Sequence, residues 1–159
     1  VLKNQIPGYF TALGTQSSAA TIPVNVECAK NNGVSKAIRE FVVPLCATVH
    51  LSGSTITLTM CSMAVMMLSG QVPTLAGMTG FIAMLGITMV AAPGVPGGAV
   101  MAALGILKSM LGFNDAQLSL MIARYLTQDS FGTACNVSGD NAIAIIVDKI
   151  ASQLHLKTS

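Results

Sequence analysis

The sequence predicts an all-α membrane protein, built from two re-entrant helical hairpins and two transmembrane helices. Three observations carry that prediction: an almost chargeless composition, helix breakers at the centre of the most apolar stretch, and a line of polar residues along one long helix. Charged residues make up 9% of the 159 positions and hydrophobic residues 52%, against roughly a quarter charged in soluble domains. The mean hydropathy is +0.69. Between Glu40 and Lys108 there is no Asp, Glu, Lys or Arg, so that segment cannot cover itself with a solvated surface. A net charge of +2, no Trp and no basic patch interleaved with aromatics exclude nucleic acid as a partner. Cys28, Cys46, Cys61 and Cys135 lack CxxC spacing and read as small apolar packing residues, not as a disulfide framework or zinc site. The chain opens at Val1 without a signal peptide and reads as a piece of a longer protein.

The elements follow in order. Residues 2–31 form the first hairpin, apolar on both sides of the small polar stretch GTQSSAAT. KNNG is a loop, and residues 33–68 make a membrane helix interrupted by HLSGS at His50 to Ser54. SGQVPT, Ser69 to Thr74, is a turn by its Gly and Pro. Residues 73–111 form the second hairpin, whose centre, APGVPGG, cannot remain helical. Asn114 caps the last helix, residues 115–154, with Asp115 in its first turn. Hairpin arms of roughly 13–18 residues fall short of the ~20 that span a bilayer, so the hairpins enter and return. A broken apolar segment alone could be a soluble turn. Two in corresponding positions of two repeats point to the binding site of a secondary transporter, because hydrocarbon tolerates irregular backbone only where it is buried in protein or lines a cavity. Lys3, Lys30, Lys36 and Arg39 lie beside the first hairpin, and Lys149 and Lys157 close the chain. By the positive-inside rule the first hairpin enters from the cytoplasm and the second from outside.

Asp129, Thr133, Asn136 and Asp140 fall at i, i+4, i+7 and i+11, along one helix face flanked by Leu, Met and Ile. In a soluble protein this would be a solvated face. In a bilayer each Asp costs about 2.5–3.5 kcal/mol or more, and such residues are retained for ions, protons or ligand amines. Two carboxylates more than two turns apart suggest one for a substrate ammonium and one for a metal cation. Thr48, Asn136, Asp140 and unwound carbonyls around His50 offer the oxygens that a hard cation prefers. His50 itself is open to two readings, hydrogen-bonded structure or ligand. The sequon Asn136-Val137-Ser138 lies at membrane depth and is a false match.

At this point the chain resembles a known family, the glutamate/aspartate transporters or dicarboxylate/amino acid:cation symporters. TQSSAATIPV resembles its first hairpin tip, ATVHLSGS its unwound seventh helix, PGVPGG its second tip and QDSFGTACNVSGD its eighth helix. The resemblance covers the whole chain in order but only the C-terminal part of the family's fold; six N-terminal helices and most of the trimerisation scaffold are absent. It implies residues 1–159 as the C-terminal part of an elevator-type transport domain, in a homotrimer joined through the missing scaffold, in a multi-pass cell membrane of prokaryotic type. It implies that Asp129 binds a substrate amino group, with Ser54, Gly132, Thr133 and Asn136 around the substrate and backbone from Ser17, Ser18, Val95, Pro96 and Gly97 closing over it. Asp140, with carbonyls near Cys46, His50 and Asn136, implies one sodium site, and Thr48 with the second tip another. No organic cofactor is implied.

Three departures from the family pattern shape the expected substrate. The family's Asn-Met-Asp-Gly-Thr motif is here His50-Leu51-Ser52-Gly53-Ser54, so a carboxylate that binds a third sodium is Ser52. Gln16 stands where some prokaryotic members carry Arg, and Gly132 stands where the Arg that clamps a side-chain carboxylate would be. The pattern is nearer the serine/threonine-type members. The expectation is sodium-coupled symport of a small neutral amino acid, with a proton-coupled or dicarboxylate carrier as the alternative. An enzyme is disfavoured, since PGVPGG lacks GxGxxG spacing and a P-loop Lys, and neither His50 nor His155 has a nucleophile partner pattern. A purely structural membrane subunit gives no reason for two intramembrane carboxylates on one face.

Overall fold

The computed structural model describes residues 1–154; His155 and Lys157 lie outside them. Seven α-helices and no strands occur among the described residues: α1 (Leu2–Thr15), α2 (Ser18–Asn31), α3 (Lys36–Val49), α4 (Ser52–Leu68), α5 (Leu75–Met89), α6 (Gly98–Leu111) and α7 (Asp115–Gln153).

Each helix end has a local cause. α1 stops where Gln16 turns left-handed (φ 52°), the one non-glycine residue with positive φ among the described residues. Ser17 then starts α2, its hydroxyl accepting from the Ala20 N–H at 3.1 Å. α3 and α4 are separated only by His50 and Leu51, both extended or irregular. The break is thus shorter than HLSGS, because Ser52, Gly53 and Ser54 already lie in α4. Gly97 (φ 71°) opens α6 and Gly112 (φ 67°) closes it, with the Phe113 N–H reaching back to the Leu107 carbonyl. Asn114 and Gln117 form a reciprocal capping box at the start of α7, each bond 2.9 Å.

α7 is the spine, packed against α1, α2, α3, α4 and α6. Its N-terminal half joins an apolar cluster with α4, α5 and α6 that includes Leu58, Phe81, Leu85, Leu107, Met121 and Tyr125. Further along, Ala134 and Val137 meet Ala12 of α1, and Ala144 meets Ala29, Val43 and Cys46. α4 and α7 cross so closely that a Cβ on Gly53 would overlap the Gly132 carbonyl oxygen and the Cys135 Cβ. Lys36–Leu68, counted through the break at His50–Leu51, is the one segment among the described residues long and apolar enough to cross a membrane. The outer surface is strongly apolar: Leu2 is 85% exposed, Leu75 84%, Phe41 67% and Phe10 66%, which water would not tolerate as a continuous skin. Cys28, Cys46 and Cys61 are buried, whereas Cys135 is exposed, so only three of the four cysteines pack internally.

Candidate functional site

The two hairpin tips and the break in α3–α4 converge on the middle of α7. They enclose a cavity of about 10 Å³, room for one water and no more. The first tip contributes Gln16 and Ser18, the break Leu51 and Ser54, and α7 Tyr125, Asp129 and Thr133. The second tip closes it with Pro93, Gly94 and Val95.

Asp129 is the centre of this site and is almost wholly buried, at 3% exposure. Its Oδ1 accepts from the Tyr125 hydroxyl at 2.9 Å and from the Thr133 hydroxyl at 3.3 Å. Its Oδ2 accepts from the Gly97 N–H of the second tip at 2.8 Å. The left-handed backbone of Gly97 is what aims that N–H at the carboxylate. The same tip is also tied to the first. The Gly94 carbonyl accepts from the Ser17 hydroxyl at 2.9 Å and from the Ala19 N–H at 3.1 Å. A Cβ at position 94 would come within 2.5 Å of the Ala47 carbonyl, so only glycine lets the tip settle this deep. The Ser18 hydroxyl, buried beside the cavity, has no partner among the described residues. Val95 and Pro96 are exposed on the outer side of the tip, although Val95 still borders the cavity.

Asn136 does not line the cavity. It caps α4 across the helix interface: its Oδ1 accepts from the Gly53 N–H at 2.7 Å and the Ser54 N–H at 3.2 Å. Its Nδ2 donates to the Ser54 hydroxyl at 2.8 Å. α4 has no cap of its own, since Leu51 offers no polar side chain. Gly132 also lies outside the cavity lining. A Cβ there would face α4, 3.0 Å from the Thr57 hydroxyl. A side chain at 132 thus starts toward the α4–α7 crossing rather than into the space beside Asp129.

Asp140 lies further along the stripe, fully buried. Its Oδ1 meets His50 Nδ1 at 2.8 Å, while its Oδ2 has no partner among the described residues. The sequence left the role of His50 open; here it is joined to Asp140. Its ring also packs on Gly139, where any Cβ would collide with it. The buried Cys46 carbonyl accepts from the His50 N–H at 2.8 Å. Thr48 is set apart, exposed on α3 with its hydroxyl turned back on the Leu45 carbonyl at 2.8 Å. Among the described residues no group of three or more His, Cys, Asp and Glu comes together. A cation at Asp140 would therefore draw on carbonyl, amide and hydroxyl oxygens.

Tyr125 was not anticipated as a site residue. It stands four residues before Asp129, one turn back along the same face, and extending the polar stripe by one turn would have included it.

Residues 1–150 match the family model described as the sodium:dicarboxylate symporter family. The chain is similar to the neutral amino acid transporter B(0) of Macaca fascicularis, 32% identical over 150 residues, covering 94% of this chain and 28% of that protein. It is similar to the excitatory amino acid transporter 1 of Rattus norvegicus, 32% identical over 149 residues, covering 89% and 26%. It is also similar to the serine/threonine transporter SstT of Acinetobacter baylyi, 31% identical over 145 residues, covering 88% and 36%. The chain thus spans about a quarter to a third of the length of these curated relatives.

Proposed function

The chain belongs to the sodium:dicarboxylate symporter family, and from that premise we propose that it is the C-terminal part of the transport domain of a membrane symporter for small neutral amino acids, serine or threonine first, moved together with sodium. α1–α2 and α5–α6 are then re-entrant hairpins, and α3–α4 and α7 the two transmembrane helices. The whole transporter is a trimer that moves this domain as an elevator.

One observation carries the reading. A buried carboxylate, Asp129, sits where both tips meet, and the second tip supplies one of its donors through Gly97. A cavity of about 10 Å³ holds no amino acid, so substrate entry requires the second tip to lift. Lifting frees Oδ2 for an ammonium, and the unpartnered Ser18 hydroxyl is a ready donor to the substrate's carboxylate. Among the described residues no Lys, Arg or His lines the cavity. A second, side-chain carboxylate would be buried there without a partner, at a cost of several kcal/mol. Asp140 suits the cotransported cation, because its Oδ2 is a buried carboxyl oxygen with no hydrogen-bond partner among the described residues.

The test is uptake of labelled serine, threonine, alanine and aspartate into vesicles holding the full-length protein, with and without a sodium gradient. Serine or threonine is expected to accumulate only with the gradient. Aspartate is expected to compete at least about a hundredfold more weakly, or about 2.7 kcal/mol. Preference for aspartate would overturn the substrate class, and uptake that follows pH and ignores sodium would overturn the coupling ion.

A further inference from the structure

We propose that Tyr125 sets the size limit and the pose of the substrate in the Asp129 site. The inference rests on the amino-acid transport reading above and names a determinant within it. Tyr125 is fully buried and does two things at once. It belongs to the apolar cluster with Leu51, Leu58 and Met121, and it borders the cavity beside Ser54 and Thr133. Its hydroxyl donates to Asp129 Oδ1 at 2.9 Å.

The hydroxyl decides which carboxylate oxygen is free. A carboxylate offers about four acceptor positions, two on each oxygen. On Oδ1 both are taken, by Tyr125 and Thr133, from α7 itself. Neither donor has to move when the second tip moves. On Oδ2 the donor is the Gly97 N–H, which leaves with the tip. An incoming ammonium is therefore directed to Oδ2, on the side of the second tip. Its side chain is then confined between the tips and the Tyr125 ring. The ring shares its cluster with Leu51, Leu58 and Met121, from the break, α4 and α7, none of which belongs to the second hairpin, and such cores do not yield to added volume without a cost of about 1–3 kcal/mol. On this proposal, side chains the size of serine, alanine or threonine are accepted in front of the ring once the tip has lifted, and leucine or phenylalanine would have to displace it.

Two substitutions separate the ring from the hydroxyl, measured by competition against labelled serine uptake in vesicles of the full-length protein. Tyr125→Ala removes the ring, and inhibition by leucine relative to serine is expected to rise at least about tenfold, a change of about 1.4 kcal/mol. Tyr125→Phe keeps the ring; the size ranking should stay as in the wild type while the KM for every substrate shifts by a common factor. If Tyr125→Ala carries serine with the wild-type size ranking, the proposal is overturned. It is equally overturned if Tyr125→Phe admits leucine as Tyr125→Ala does, because the ring would then not be the barrier. Should Tyr125→Ala be inactive, Tyr125→Leu, which keeps an apolar filler but shortens it, must show the same shift toward larger side chains or the idea fails. Wild-type protein that carries no amino acid overturns the transport reading itself, a result visible before any variant is made.

Discussion

Asn136 gives the sharpest test of how the two central helices are joined. It is fully buried, and its amide makes three bonds to the start of α4: two N–H groups of the helix and the Ser54 hydroxyl. In Asn136→Leu the Gly53 and Ser54 N–H groups have no acceptor. Each buried orphan costs about 1–3 kcal/mol, so the variant should lose about 2–6 kcal/mol. Ser54→Ala leaves both helix donors satisfied and strands only the Asn136 Nδ2 donor, one buried orphan, so its cost should be about 1–3 kcal/mol. The assay is denaturation of the full-length protein in mild detergent, paired with hydrogen exchange at the α4 amides. Asn136→Leu should expose the Gly53 and Ser54 amides to exchange; Ser54→Ala should not. Unchanged protection of those two amides in Asn136→Leu would refute the cross-helix cap.

The other expectations are independent of that cap. Gly53→Ala should destabilise by about 1–3 kcal/mol, because the new methyl meets backbone oxygen that cannot give way; Gly86→Ala, with nothing within 4 Å of its Cβ position, should stabilise by about 0.5–1 kcal/mol through helix propensity alone, and equal effects in thermal melts would sink the packing argument. Asp140→Asn should raise the sodium concentration for half-maximal serine uptake by about tenfold or more, roughly 1.4 kcal/mol of lost cation affinity; an unchanged sodium dependence removes Asp140 from the cation path. Gly97→Val forces a β-branched residue into a left-handed conformation (φ 71°), costing about 1–2 kcal/mol, and should pull the tip from Asp129, raising the KM for serine without altering membrane insertion; normal KM values would show that the tip is only a turn.

What could be read from sequence was whatever depends on short-range chemistry. The breakers in APGVPGG, the cap at Asn114 and the polar stripe on α7 are local, and each has a local physical cause. The stripe was legible because period 3.6 puts Asp129, Thr133, Asn136 and Asp140 on one face. What each member of the stripe faces was not legible, because that depends on which helix crosses it. Asn136 and Asp140 look alike as polar residues in an apolar helix, yet one is spent on capping α4 and the other keeps a bare oxygen. The Gly132 contact with α4 is likewise set by a crossing of two helices far apart in the chain. Thr48 looked suited to a cation by chemistry alone, but its place on α3 turns it outward. Tyr125 escaped notice for a different reason: tyrosine in an apolar helix passes for core, and only its hydroxyl's partner shows otherwise.

The two hairpins are held in physically different ways, and this bears on which of them can open. The first is joined to α7 by buried side-chain amides. Gln5 donates to Asn25 at 2.9 Å, Asn25 donates to the Val137 carbonyl at 3.0 Å, and Asn141 donates to both Gln5 and Asn25. Separating α1–α2 from α7 would strand several of these groups at once in a place without water, where each lost partner is costly. Among the described residues the second hairpin has no such network. α5 and α6 join α4 and α7 through the apolar cluster, and the polar ties of the tip run through its backbone groups at Gly97 and Gly94. A substrate can replace the Gly97 bond, since its ammonium offers Asp129 a stronger, charge-assisted donor than a peptide N–H. Nothing in an amino acid can replace the amide network of the first hairpin. On the proposed transport reading, the mobile gate is therefore the second hairpin, and the first travels with α7 as part of the body that carries the substrate.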